Sequence, residues 1–170
     1  AGGIVATRPD NYTVERSAVV NAPPDVVFAQ VNDFHRWESW SPFEKLDPEM
    51  RKTFEGSPSG VDARYHWVGN SRAGEGRMRI AESDPARRIA IDMHFIEPFE
   101  SRARTTFTFE PVDNGTRVTW GLTGANTTAG KVMSLFGGME GMLNRAFDEG
   151  LAKLGTVAEA EVKRSAQAAA

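Results

Sequence analysis

The sequence has no cysteine, which excludes disulfides, thiolate metal sites and a cysteine nucleophile. It also lacks a basic excess: 20 Lys and Arg stand against 23 Asp and Glu, for a net charge of −3. That balance argues against a dedicated nucleic-acid binder, whose affinity rests on phosphate contacts. No run approaches the ~20 apolar residues of a membrane-spanning helix. The three histidines, His35, His66 and His94, share no metal-ligand spacing with other ligands, so neither a metal nor a cofactor is expected. No serine sits in a Gly-x-Ser-x-Gly elbow and no His-Glu-x-x-His run occurs. Gly74-Glu75-Gly76 lacks the following helix and lysine of a phosphate cradle.

What remains is a chain of 170 residues, enough for one domain with short tails. The opening AGGIVATRPDN reads as a flexible leader over residues 1–11 and the alanine-rich end as a disordered tail over 164–170. Residues 12–163 form the expected domain. Opening at Ala1 rather than Met suggests a trimmed N-terminus, and an upstream signal or anchor would not be visible in this sequence.

Tyr12 to Val20 reads as a strand, with Val14, Ala18 and Val20 on one face. Pro24 and Asp25 suit the first turn of a short helix carrying Val26, Val27, Phe28 and Val31. Asp33 caps a second short helix, on which Phe34, Trp37 and Trp40 recur every three residues until Ser41-Pro42 ends it. Beyond residue 50 the period falls to two. Tyr65 and Trp67 alternate with Arg64 and His66, and Met78 and Ile80 with Arg77 and Arg79. Ile91, Met93 and Phe95 alternate with Asp92 and His94, and Phe107 and Phe109 with Thr106 and Thr108. Asp113-Asn114-Gly115 marks a hairpin before the strand of Val118, Trp120 and Leu122. Such alternation, with short turns, predicts an antiparallel meander having one buried and one wet face.

Residues 127–163 read as helical, with Val132, Phe136, Met139, Leu143, Phe147, Leu151 and Leu154 in one stripe. Gly137, Gly138 and Gly141 predict a break between a short leading helix and a long one.

A strand, two short helices, a run of antiparallel strands and a long C-terminal helix follow the element order of the START-like superfamily. VERSAVVNAPPDVVFAQVNDFHRWESWSPF (14–43), GEGRMRIAESDPARRI (74–89), FTFEPVDNGTRVTW (107–120) and LFGGMEGMLNRAFDEGLAKL (135–154) resemble its polyketide cyclase/dehydrase-type (SRPBCC) group. The resemblance implies an α+β helix-grip fold, like that of START and birch-pollen-allergen-like proteins: a bent antiparallel sheet around the last helix. It also implies an apolar cavity between sheet and helix, and it is compatible with a membrane tether upstream of Ala1.

On this reading a small hydrophobic molecule, lipid-like or polyketide-like, is the expected partner. The candidate ligand-binding residues are Trp40, Phe43, Tyr65, Trp67, Met78, Met93, Phe95, Phe107, Trp120, Phe136, Met139 and Leu143. Methionines adapt to irregular shapes, and Tyr65, Trp67 and Trp120 add a hydrogen-bonding handle. Taken singly, each is more readily read as filled core, and it is the resemblance that points to a cavity for the set. No catalytic constellation is evident. His66 and His94 fall on the wet face, Asp92 and His94 are as readily an exposed pair as a dyad, and Glu97 and Glu100 are the carboxylates nearest a strand break. Carriage therefore leads. A cyclase, dehydratase or hydrolase in the same pocket, and a protein-interaction or stress-related module, stand as alternatives.

Overall fold

The computed structural model describes residues 4–7, 11–125 and 141–169. Eight antiparallel strands form one sheet: β1 (Ile4–Thr7), β2 (Asn11–Val20), β3 (Arg51–Gly56), β4 (Ala63–Val68), β5 (Glu75–Asp84), β6 (Arg88–Glu97), β7 (Ser101–Val112) and β8 (Gly115–Ala125). Their order is β1-β2-β8-β7-β6-β5-β4-β3. β3 to β8 form the meander that the alternation predicts. β2 then closes onto β8, so an early strand of the chain lies beside the last.

Between β2 and β3 lie α1 (Pro24–Val31) and two short 3₁₀ segments, Phe34–Ser39 and Pro42–Lys45. Pro sits in the first turn of α1, where its missing N–H costs nothing. The Asp33 and Ser41 side chains accept from the backbone N–H of His35 and Phe43, capping the 3₁₀ segments. The long helix α2 (Met142–Ala169) follows Gly141, whose φ of +88° suits glycine. Its Leu143, Phe147, Leu151, Leu154 and Ala158 form a buried stripe. An Arg16 fork ties β2 to α2 through two hydrogen bonds to Asp148, 2.7 and 2.6 Å long.

The inward parity predicted for β4 to β8 holds for the large apolar residues, while Ala90, on the outward parity of β6, is buried as well. Ala63, Tyr65, Trp67, Met78, Ile80, Ile91, Met93, Phe95, Phe107, Phe109, Val118, Trp120 and Leu122 are all buried. Irregularities at Glu75/Gly76 and Ile80/Glu82 bend β5. Gly76 is essential to that bend, because a Cβ there would fall 2.3 Å from the Trp67 ring.

Both predicted ends carry regular structure. Ile4–Thr7, within the expected leader, pairs with β2 from Ile4↔Glu15 to Thr7↔Tyr12. The helix continues to Ala169, through the expected tail, because alanine favours helix even where residues from Lys163 onward are exposed. Phe136, Met139, Gly137 and Gly138 lie outside the described residues.

Candidate functional site

The space between sheet and α2 divides into two parts. Against β2, β8 and α2 it is filled by aromatic rings. Trp120 stacks on Phe147 with centroids 4.0 Å apart and planes 4° from parallel. Phe107 stacks on the other side of that cluster, 5.0 Å from Trp120, and Trp40 meets both edge-on at 5.9 and 5.7 Å. The Trp40 and Trp37 indoles donate to the carbonyls of Gln30 (3.1 Å) and Val31 (2.9 Å), anchoring both rings to the end of α1. The α2 backbone closes over this cluster at Gly150, where a Cβ would lie 2.9 Å from both Pro42 and Trp120.

Against β4, β5 and β6 the packing is looser in kind. Trp37, Phe43, Leu46, Met50, Tyr65, Trp67, Ala73, Met78 and Met93 surround a cavity of about 20 Å³, room for about one water. The Trp67 indole N–H is bound to the Ala73 carbonyl at 2.9 Å, so the ring presents an apolar surface. Thr105 donates to the Met93 sulfur at 2.9 Å.

One side of this cavity is polar. Glu44, on the second 3₁₀ segment, lines it and accepts from the Tyr65 hydroxyl at 3.2 Å. Lys52 on β3 donates to Glu44 at 2.9 Å and to Glu38 at 3.1 Å. The Glu44 and Lys52 side chains are only 15% and 21% exposed. Burial, with the Glu44 carboxylate beside it, pushes the Tyr65 phenol far above its usual value. Burial pulls the Lys52 ammonium down, but its hydrogen bonds to Glu44 and Glu38 outweigh that and hold it above the ordinary lysine value.

The candidate residues from the sequence are thus distributed unequally. Phe43, Tyr65, Trp67, Met78 and Met93 line the cavity. Trp40, Phe107 and Trp120 belong to the packed cluster, Leu143 is buried core, and Phe95 packs against Trp67 and Phe99. Glu44 and Lys52 were not foreseen, since neither falls on a periodic face. Glu97 and Glu100 are exposed, and Glu100 faces His94 Nε2 at 2.7 Å. Asp92 faces arginines rather than His94. His35 pairs with Asp33 (2.7 Å) and stacks on Phe54.

A family model described as polyketide cyclase/dehydrase and lipid transport matches residues 12–159. The chain belongs to that family. Solved structures of the same fold include Ms6760 from Mycobacterium smegmatis, at 17% identity and a TM-score of 0.65, covering 95% of this chain and 98% of that one. Ara h 8.0201 matches at 15% identity and a TM-score of 0.51, over 79% and 99% of the two chains. DynU16, from the dynemicin biosynthetic locus, matches at 16% identity and a TM-score of 0.59, over 86% of this chain and 47% of that one. These likenesses establish the helix-grip fold for this polyketide cyclase/dehydrase and lipid transport family member. No curated protein matches it. Among the described residues, no cluster of three or more His, Asp or Glu is placed to hold a metal, and no helix is long and apolar enough to cross a membrane.

Proposed function

We propose that this protein binds and carries a small, mainly apolar molecule bearing one hydroxyl, phenol or amine, in the cavity between β4–β6 and the second 3₁₀ segment. The carrying observation is a wall of Met50, Met78, Met93, Phe43 and Trp67 interrupted at one end by the Glu44–Tyr65 pair. Ligand sites are concave, largely apolar and oriented by a few polar groups. Here the acceptor is a largely but not fully buried carboxylate, which favours a donor on the ligand. Family membership supports the apolar character of that ligand, lipid-like or polyketide-like.

At about 20 Å³ the cavity is closed to any such molecule, whereas small-molecule pockets run to roughly 300–1,000 Å³. Binding therefore requires the methionines to change rotamer and the Phe43 segment to move outward. Unbranched Met side chains make the first change at low cost. Carriage is favoured over catalysis because Glu44 is already held by Lys52 and Tyr65, and the rest of the wall is apolar.

The test is native mass spectrometry of protein purified without detergent, followed by calorimetric titration with matched fatty alcohols, naphthols and fatty acids. Alcohols or naphthols should bind at least tenfold more tightly than acids, with Met78→Trp abolishing binding while the fold is retained by circular dichroism. A protein that arrives empty and binds none of the panel overturns the reading.

A further inference from the structure

The outer face of the same strands holds a second concavity, about 280 Å³, reaching from β3 to β7. Two transverse rows of side chains cross it. In one, His66, Arg77, His94 and Arg102 are successive register partners on β4, β5, β6 and β7. In the next, Arg64, Arg79, Asp92 and Arg104 are aligned in the same way. The face is therefore opposite to the apolar cavity, since Tyr65, Met78 and Met93 point inward from between these positions.

The two rows differ in how their charge is met. Asp92 lies 3.1 Å from Arg104 and 3.8 Å from Arg79, and Asp62 lies 3.8 Å from both Arg64 and Arg79. The second row is thus a network of cross-strand ion pairs, the ordinary content of a wet sheet face. In the first row the nearby carboxylates are taken by histidines: Glu75 faces His66 Nε2 and Glu100 faces His94 Nε2, each at 2.7 Å. Arg77 and Arg102 are exposed, line the groove, and have no acidic partner among the described residues. Two carboxylates line the groove, Asp92 in the second row and Glu55 on the β3 rim, where it faces Arg64 across the strands.

Adjacent strands lie about 4.8 Å apart, so Arg77 and Arg102 flank His94 with backbones roughly 10 Å from each other. Two long side chains at that separation can close on one anion from both sides. Guanidinium forks match phosphate oxygens in pairs, which a lone ammonium cannot do. We propose that this groove is a phosphate-binding site, with Arg77 and Arg102 as the two anion ligands and a small phosphate ester or a phospholipid headgroup as the occupant. The site is independent of the apolar cavity and does not rest on the carrier reading.

The experiment is a titration of the full chain with inorganic pyrophosphate at low ionic strength, followed by NMR of the arginine side-chain Nε–H signals. Arg77 and Arg102 should shift together and saturably, and the R77Q/R102Q double variant should weaken binding by about tenfold or more. R88Q, which removes a paired arginine next to Glu82, should change it by less than about twofold. Both variants lie at exposed positions, so the fold should be unaffected. Unshifted Arg77 and Arg102, or equal losses in R77Q/R102Q and R88Q, overturn the site. Sedimentation with phosphatidylcholine vesicles, with and without phosphatidic acid, then identifies the source. Binding that needs phosphatidic acid and is lost in R77Q/R102Q assigns a lipid headgroup, whereas pyrophosphate binding without sedimentation assigns a soluble phosphate ester.

Discussion

On the β2–β8–α2 side of the interior, Trp40, Phe107, Trp120 and Phe147 touch ring to ring. On the β4–β6 side, Met50, Met78, Met93 and Leu46 face a small cavity beside Tyr65 and Trp67. Rigid rings have few rotamers and fill space in one way, whereas thioether chains repack when something enters. One core thus carries two tasks. The aromatic side fixes the position of α2, and the methionine side leaves room for adaptation.

That contrast can be broken most forcefully by Trp120→Ala, which should cost about 3–5 kcal/mol in urea denaturation. A markedly smaller loss would mean that the aromatic side is as compliant as the other. Gly150→Ala comes next, at about 1–3 kcal/mol, because its new methyl has the Pro42 and Trp120 rings at 2.9 Å. Differential scanning calorimetry should show the lower Tm, and Ala152→Gly on the exposed side of α2 should lose only about 1 kcal/mol. Met93→Leu should cost less than about 1.5 kcal/mol while altering which apolar ligands bind, as read by calorimetric titration. An unaltered ligand profile would remove Met93 from the site.

The smallest effect is expected at Tyr12, whose buried hydroxyl has no hydrogen-bond partner among the described residues. Tyr12→Phe should be neutral or stabilise by up to ~1 kcal/mol at neutral pH, since it deletes an unmet polar group. Burial pushes the Tyr12 phenol up to about 12. An unfolded phenol ionises near pH 10, so this contribution is whole below about pH 10 and is lost as pH climbs through about 12. Urea midpoints should therefore fall less steeply between those values in Tyr12→Phe than in the wild type.

The methionine side was also the more legible of the two in part. Alternation assigned Tyr65, Trp67, Met78 and Met93 inward because a strand has a strict period of two. It could not say that Trp40, Phe107 and Trp120 would meet in a filled cluster, since parity gives direction and not distance. Glu44 escaped notice for a related reason. It lies on a four-residue 3₁₀ segment, too short for periodicity to show which way a side chain points. Ile4–Thr7 was hidden by its surroundings, with Gly2-Gly3 before it and Pro9 after it reading as punctuation. Its pairing depends on β2, a partner that local pattern cannot reveal. Alternation placed Arg64, Arg77 and Arg79 outward, but the division into a paired and an unpaired row needed the register.

The pairing of β2 with β8 also governs how the chain comes to be folded. Thr13 and Thr123 face each other across that ladder, 110 positions apart. Every contact in the ladder must await a long loop closure, the feature that slows folding in β-rich topologies. During synthesis, Trp37 and Trp40 emerge long before β8 and α2 exist to cover them. The eight-stranded sheet can therefore be completed only once β8 has been made, when β2 at last gains its neighbour.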